Sequence, residues 1–277
     1  MKNILIVNYN TTLLTQCCIK SVNKFTPGCK IYVFDNSDKE PFVNIFKNVE
    51  VIDNTKGQII NWEIFLEKYP NRFNSSAYRN NNYASAKHCY TIQKCFDLIN
   101  DNFILLDSDT LLKKDITELY DERYIYVADN EPQYGCQKLT RVIPYCCFIN
   151  VKKCKELNIN YFNEQRMHGL YYNEDGDNYD TGSNFYVECE KFCHKDIKYE
   201  DYIEHFHGGS WGSIRQKQKI TCKQWLNKNK NLWQGEGDDE NNITEDKSIN
   251  NLGSNRITVK ERILGAMNIK YHLENEE

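Results

Sequence analysis

The sequence predicts an α/β protein built on a mostly parallel, Rossmann-like sheet with helices on both faces. Three observations predict it. Short apolar runs in the first half alternate with stretches whose apolar residues recur at helical spacing. The runs are rich in Ile, Leu and Val, as in strands buried on both faces. Four of them end on a polar side chain, Asn8, Asp35, Asp53 and Asp107. In parallel sheets, ligands bind at the carboxyl ends of the strands, so these endings should share one crevice.

"NILIVN" (3–8) is the first strand. Thr11 and Thr12 are candidate caps for the helix "LLTQCCIKSVNKF", which Pro27-Gly28 ends. "KIYVFD" (30–35) and "VEVID" (49–53) are the second and third strands, and a polar, Asn-rich region follows. "ASAKHCYTIQKCFDLI" (84–99) reads as a helix leading into the strand "NFILLD" (102–107). The second half is less regular, with strands expected at "YIYVAD" (124–129) and "YCCFIN" (145–150) and a very polar stretch at 171–186. Residues 214–233 carry six basic residues and no acidic one; an acidic loop, "GEGDDENNITED", and an amphipathic C-terminal helix follow. The expected organisation is one domain over 1–212, with residues 213–277 packed on or appended to it as a basic segment, acidic loop and helix.

A chain of 277 residues can bury a full core. Its formal charge of −4 gives no global reason to expect a nucleic-acid partner. It opens directly on a strand, where a secretory signal needs a basic start and about 7–15 apolar residues. No run approaches the roughly 18 apolar residues of a membrane span, so the expected location is cytoplasmic. Twelve cysteines include two adjacent pairs, Cys17-Cys18 and Cys146-Cys147, and one CxxxC, Cys189 and Cys193, but no CxxC. That spacing fits neither a zinc site nor a secreted disulfide framework, and predicts reduced cysteines acting as small hydrophobes.

The chemistry concentrates in "FILLDSDTLL" (103–112). In extended backbone, residues i and i+2 project to the same side, so Asp107 and Asp109 can reach one ion. Mg²⁺ and Mn²⁺ are held by one or two carboxylates and completed by substrate phosphates and water. The competing reading is a turn in which Asp and Ser cap a helix starting near Asp115.

"ILLDSDTLL" resembles the DXD motif of nucleotide-sugar-dependent glycosyltransferases of the GT-A fold, and "ILIVNYNTTLLTQCCIKSV" resembles their first strand and helix. The likeness spans residues 3–120 and returns at 180–211. It implies a GT-A domain in which Asn8 and Tyr9 contact the nucleobase and Asp35 the base or ribose. It further implies that Asp107 and Asp109 hold Mn²⁺ or Mg²⁺ on the diphosphate, with Ser108 between them. "NNYASAKHC" resembles the segment that contacts the donor, making Ala86, Lys87 and His88 candidates; a surface histidine is the plainer reading of His88.

"HFHGGSW" (205–211) is similar to the family's late H-F-x-G segment, in which a histidine is a further metal ligand. That pattern favours His205, with His207 second, and a neutral imidazole binds Mn²⁺ acceptably. The same stretch contains "GGSWG", a formal G-x-S-x-G, with Asp238, Asp239 or Asp246 and His272 in triad order. A nucleophile elbow needs strands beyond Ser210 to carry the acid and the histidine, and none is convincing there. Neither G-x-x-x-x-G-K-[ST] nor G-x-G-x-x-G occurs.

"YDTGSNFY" resembles the acceptor-side segment, which makes Asp180 the candidate general base, with Glu174, Asp175 and Asp177 as alternatives in one loop. An acidic loop is equally explained as a solvated turn. The lysines and tryptophans of 214–233 form a candidate contact for an anionic membrane surface carrying a lipid-linked acceptor, against the plainer reading of a solvated helix face. Donor sugar, acceptor, stereochemical outcome and oligomeric state are not encoded in these motifs. The expected activity is metal-dependent glycosyl transfer from a nucleotide sugar, a UDP-sugar first, to a glycan or lipid-linked acceptor. The alternatives are a non-catalytic nucleotide-sugar- or glycan-binding relative and a nucleotidyltransferase.

Overall fold

The computed structural model describes residues 1–68, 79–133, 136–164, 166, 179–207 and 220–235. In chain order the elements are β1 (Asn3–Asn8), α1 (Thr12–Phe25), β2 (Lys30–Asp35), β3 (Val49–Asp53), α2 (Trp62–Lys68), α3 (Arg79–Ile99), β4 (Phe103–Asp107), β5 (Thr110–Leu112), β6 (Tyr126–Ala128), β7 (Asn130–Gln133), β8 (Cys136–Val142), β9 (Cys146–Ile149), α4 (Val151–Glu156), α5 (Ser183–Cys189), β10 (Lys195–Asp196), β11 (Ile203–His205), α6 (Cys222–Lys228) and α7 (Lys230–Trp233). Seven strands form one sheet in the order β10-β6-β9-β4-β1-β2-β3. Strands β3, β2, β1 and β4 are parallel, while β9 runs antiparallel between β4 and β6. The class is α/β with a mostly parallel sheet, as predicted.

The apolar runs explain the layers, because successive side chains leave a strand on opposite faces. Leu5, Phe34, Phe103 and Leu105 pack with Cys89, Ile92, Cys95 and Phe96 of α3 on one face. Ile4, Ile6, Val33, Ile104 and Leu106 pack with Cys18, Ile19 and Val22 of α1 on the other. Burying each large aliphatic side chain stabilises the fold by about 1.5–3 kcal/mol. The cysteines belong to these cores: nine of the eleven described are buried, and none of the eleven is disulfide-bonded. Burial pushes the Cys89 and Cys146 thiols up to about 12, so they stay protonated.

Two local expectations differ from the structure. Thr11 precedes α1 but does not cap it; its hydroxyl lies 3.0 Å from both Asn8 Oδ1 and Ser108 Oγ, tying the helix start to two strand ends. The tryptophans of the basic segment are core residues. Trp225 packs on Phe206 with ring centroids 5.2 Å apart, and Trp233 donates its indole N–H to Leu226 O, so neither ring is available to a membrane surface. A capping box between Thr221 and Gln224 starts α6, and Lys24 of α1 donates to the carbonyls of Asn231 and Gln234. Residues 214–219, the acidic loop and the C-terminal helix lie outside the described residues. Among the described residues, no helix is long and apolar enough to cross a membrane.

Candidate metal centre

Strand β4 ends on Asp107 beside Val7 of β1, and Asn8, Asp35 and Asp53 lie in register across β1, β2 and β3. The polar endings therefore do gather at one edge of the sheet. Past Ser108 the chain re-enters a short strand, β5, and β11 pairs with it antiparallel in the register Ile203↔Leu112, Glu204↔Leu111, His205↔Thr110. Phe206 extends the ladder by donating its amide to Asp109 O at 3.0 Å. This ribbon sets His205 beside the acidic pair.

Asp107, Asp109 and His205 each offer a ligand atom, and these atoms all lie within 4.8 Å of one another. His205 Nε2 is 3.0 Å from Asp109 Oδ1 and 3.5 Å from Asp107 Oδ2. The nitrogen is buried and faces both carboxylates. Burial opposes a charge on this imidazole, but the carboxylates of Asp109 and Asp107 outweigh it and lift the pKa to about 9. Tyr145 stacks on the His205 ring at 3.7 Å and 16°. His88, on α3, brings Nε2 to 3.7 Å from Asp107 Oδ1.

His207 does not join the three ligand atoms. Its Nδ1 lies 3.1 Å from His205 Nδ1, behind the ring. Ser108 likewise turns away from the carboxylates, toward Thr11 and the start of α1.

Three expected donor contacts are internal. Asn8 is fully buried and donates to Asp35 Oδ1 and Ser37 Oγ, both at 2.9 Å. Its Oδ1 faces the hydroxyls of Thr11 and Thr15. Asp35 accepts from Asn8, from the hydroxyl and amide of Ser37 and from the amide of Phe42, which organises the loop after β2. Ala86 is buried in the α3 core. Tyr9 and Lys87 remain in reach. Lys87 Nζ lies 5.2 Å from the Tyr9 ring centroid and 5.1 Å from that of Trp62. Burial depresses the Lys87 pKa, with the Asp38 carboxylate opposing. Asp38 accepts from Tyr9 Oη and Asn10 Nδ2. Burial would raise its pKa, but these hydrogen bonds outweigh burial and hold it below the usual carboxylate value.

Asp180 is also engaged. One oxygen accepts from Ser85 Oγ and the Thr181 amide, both at 2.7 Å, and the other from Arg141 Nη1 at 3.1 Å. Arg141 also reaches Glu131. Each carboxylate oxygen offers two acceptor sites, so these bonds orient Asp180 without barring it from accepting a further proton. Glu174, Asp175, Asp177 and the "GGSWG" stretch lie outside the described residues, as do Asp238, Asp239, Asp246 and His272. Asp38, Trp62, Arg141 and Tyr145 contact the candidate residues Tyr9, Lys87, Asp180 and His205 without any motif that marks them in the sequence. Each stands singly in its segment, with no spacing that could have marked it.

No protein-family model matches the sequence, and no curated protein matches it. Solved structures that resemble the chain include the galactosyltransferase LgtC in complex with donor and acceptor sugar analogs, with 15% identity, 69% of this chain and 72% of that one covered, and a TM-score of 0.44. The glycosyltransferase GlyE of Streptococcus pneumoniae TIGR4 shows 13% identity over 72% of this chain and 46% of that one, with a TM-score of 0.41. The bifunctional WbbM glycosyltransferase shows 11% identity over 72% and 39%, with a TM-score of 0.43. These likenesses are too remote to assign the chain an activity, which has to be read from the groups of the site.

Proposed function

We propose that the chain is a metal-dependent glycosyltransferase that moves a sugar from a nucleotide-sugar donor, a UDP-sugar first among them, to a hydroxyl of a glycan or lipid-linked acceptor. One observation carries this reading: Asp107, Asp109 and His205 converge at the carboxyl end of a mostly parallel sheet, with ligand atoms within 4.8 Å of one another. Two carboxylates and an imidazole offer a donor set that Mn²⁺ or Mg²⁺ can take, with the buried His205 Nε2 facing both carboxylates.

Asp107, Asp109 and His205 would hold the ion, with His88 beside Asp107. A bound divalent cation would neutralise the charge that develops on the departing nucleoside diphosphate. The Lys87 ammonium, fixed between Tyr9 and Trp62, supplies a second positive charge near the donor. The Tyr9 and Trp62 rings offer faces for the nucleobase, and Asp38 takes the ribose-binding role expected of Asp35. Arg141 holds Asp180 oriented, so in our reading Asp180 positions the acceptor side.

The test is release of nucleoside diphosphate from UDP-, GDP-, CMP- and dTDP-sugars, counted as monophosphate for CMP, with Mn²⁺ and with EDTA. Metal-dependent release from one class, lost in Asp109→Asn, supports the reading. Metal-dependent binding of a donor without turnover would favour a second reading, a non-catalytic nucleotide-sugar-binding relative.

A further inference from the structure

We propose that the layer formed by α1, the loop between β2 and β3, and α6–α7 is a docking face for an anionic lipid bilayer, with Val43 and Ile45 as its apolar anchors. The three segments are contiguous. Thr12 Oγ1 donates to Pro41 O, Gln16 Nε2 to Val43 O and Asn48 Nδ2 to Asn23 Oδ1, which ties the loop to α1. Lys24 donates to the carbonyls of Asn231 and Gln234, and Lys20 Nζ lies 5.5 Å from the Trp233 ring centroid, which ties α7 to the same helix. Residues 12–25, 41–48 and 220–235 hold Lys20, Lys24, Lys47, Lys223, Lys228 and Lys230 and no Asp or Glu, in a chain whose 39 acidic residues outnumber its 35 basic ones. Lys24, Lys47, Lys223 and Lys228 are exposed. Of the carboxylates that border the loop, Glu40 is half-buried and Glu50 is paired with Lys30 at 2.7 Å.

The loop holds two aliphatic side chains out of the fold. Phe42 is buried, and its amide donates to Asp35 Oδ2 at 2.7 Å. Asn44 bonds back to the backbone, donating to Val49 O and accepting from the Phe46 amide. Between these pins Val43 and Ile45 stay 60% and 61% exposed, so an outside partner is what takes them out of water. Aliphatic tips offer nothing to a phosphate or a base edge. They are stabilised in the boundary between headgroups and acyl chains, while nearby lysines meet anionic headgroups. That combination selects a bilayer over a nucleic acid. Trp225 and Trp233, from the same basic segment, lie beneath the face and anchor it to the core.

The experiment is sedimentation of the full chain with vesicles, in EDTA and without donor, so its outcome is separate from the reading of the metal centre. The chain should bind phosphatidylcholine vesicles mixed with phosphatidylglycerol, release them at high salt and leave phosphatidylcholine alone unbound. A lysine near an anionic surface contributes about fivefold in affinity, so the triple variant Lys47→Ala, Lys223→Ala, Lys228→Ala should bind about 100-fold more weakly. Val43→Ser with Ile45→Ser should weaken binding about tenfold. Both variants alter exposed residues and should keep the wild-type Tm. Lys152→Ala with Lys155→Ala, on α4 at the other face of the sheet, should bind as wild type does. No binding to the mixed vesicles, or equal loss in the α4 variant, would overturn the docking face. Loss in the triple variant with wild-type binding by the serine variant would overturn the anchoring by Val43 and Ile45. Tighter binding to double-stranded DNA than to the mixed vesicles would assign the face to nucleic acid and overturn it for lipid.

Discussion

Thr110 and His205 are register partners across the β5–β11 ribbon, and the residue after His205 donates its amide to the carbonyl of Asp109. Two segments far apart in sequence thus meet as neighbours on one short ladder. Backbone hydrogen bonds across the ribbon therefore set His205 beside Asp109.

Phe206 anchors this ribbon on Trp225 and is buried. Phe206→Ala should cost about 3–5 kcal/mol in urea unfolding. It should also weaken Mn²⁺ binding at temperatures where the chain stays folded. Phe96→Ala, in the core on the α3 face, should lose similar stability and keep wild-type Mn²⁺ affinity.

The His205 pKa predicts a pH signature. It is raised from an ordinary 6.5 to about 9 in the fold, so its stabilising contribution is full below about pH 6.5 and is lost as the pH rises through about 9. The melting temperature of the metal-free chain should fall across that window, and fall less in Asp109→Asn. Metal must displace the same proton, so Mn²⁺ affinity should rise with pH up to about tenfold per unit over that interval. A flat affinity profile would mean that His205 gives up no proton to the ion.

The strand alternation, the parallel sheet, the buried cysteines and the acidic pair were all legible in the sequence, because period and composition encode burial. Which residues at strand ends face a ligand was not legible. Asn8 and Asp35 look from sequence like open polar endings, yet they bond to each other and to Ser37, because the loop after β2 folds back over them. The H-F-x-G pattern put His205 ahead of His207 but could not show why; the β5–β11 register is what sets His205 beside the acidic pair. Tyr145 reaches His205 from the start of β9 and Arg141 reaches Asp180 from β8, long-range contacts that no local pattern announces.

Asn8→Ala should leave the polar groups of Asp35, Ser37, Thr11 and Thr15 short of a partner, at about 1–3 kcal/mol for each group left unsatisfied. A loss of stability in urea unfolding, with donor affinity retained in the folded fraction, is the expected outcome. Selective loss of donor affinity at full stability would return Asn8 to the ligand-contacting set.

Lys87→Ala should weaken donor binding while leaving Mn²⁺ affinity alone, since its ammonium sits between Tyr9 and Trp62 and not among the three ligand atoms. Isothermal titration with Mn²⁺ and with the Mn²⁺–donor pair separates the two effects.

The most direct measurement is a thermal-shift comparison of wild type and Asp109→Asn with UDP-, GDP-, CMP- and dTDP-sugars, each with Mn²⁺ and with EDTA. A ligand at about 100 times its Kd adds about 2.7 kcal/mol to the native state. A rise in Tm for one nucleotide class in wild type with Mn²⁺, absent with EDTA and absent in Asp109→Asn, is the predicted result. The same rise with EDTA, or in Asp109→Asn, would contradict a metal–diphosphate site built on Asp107, Asp109 and His205.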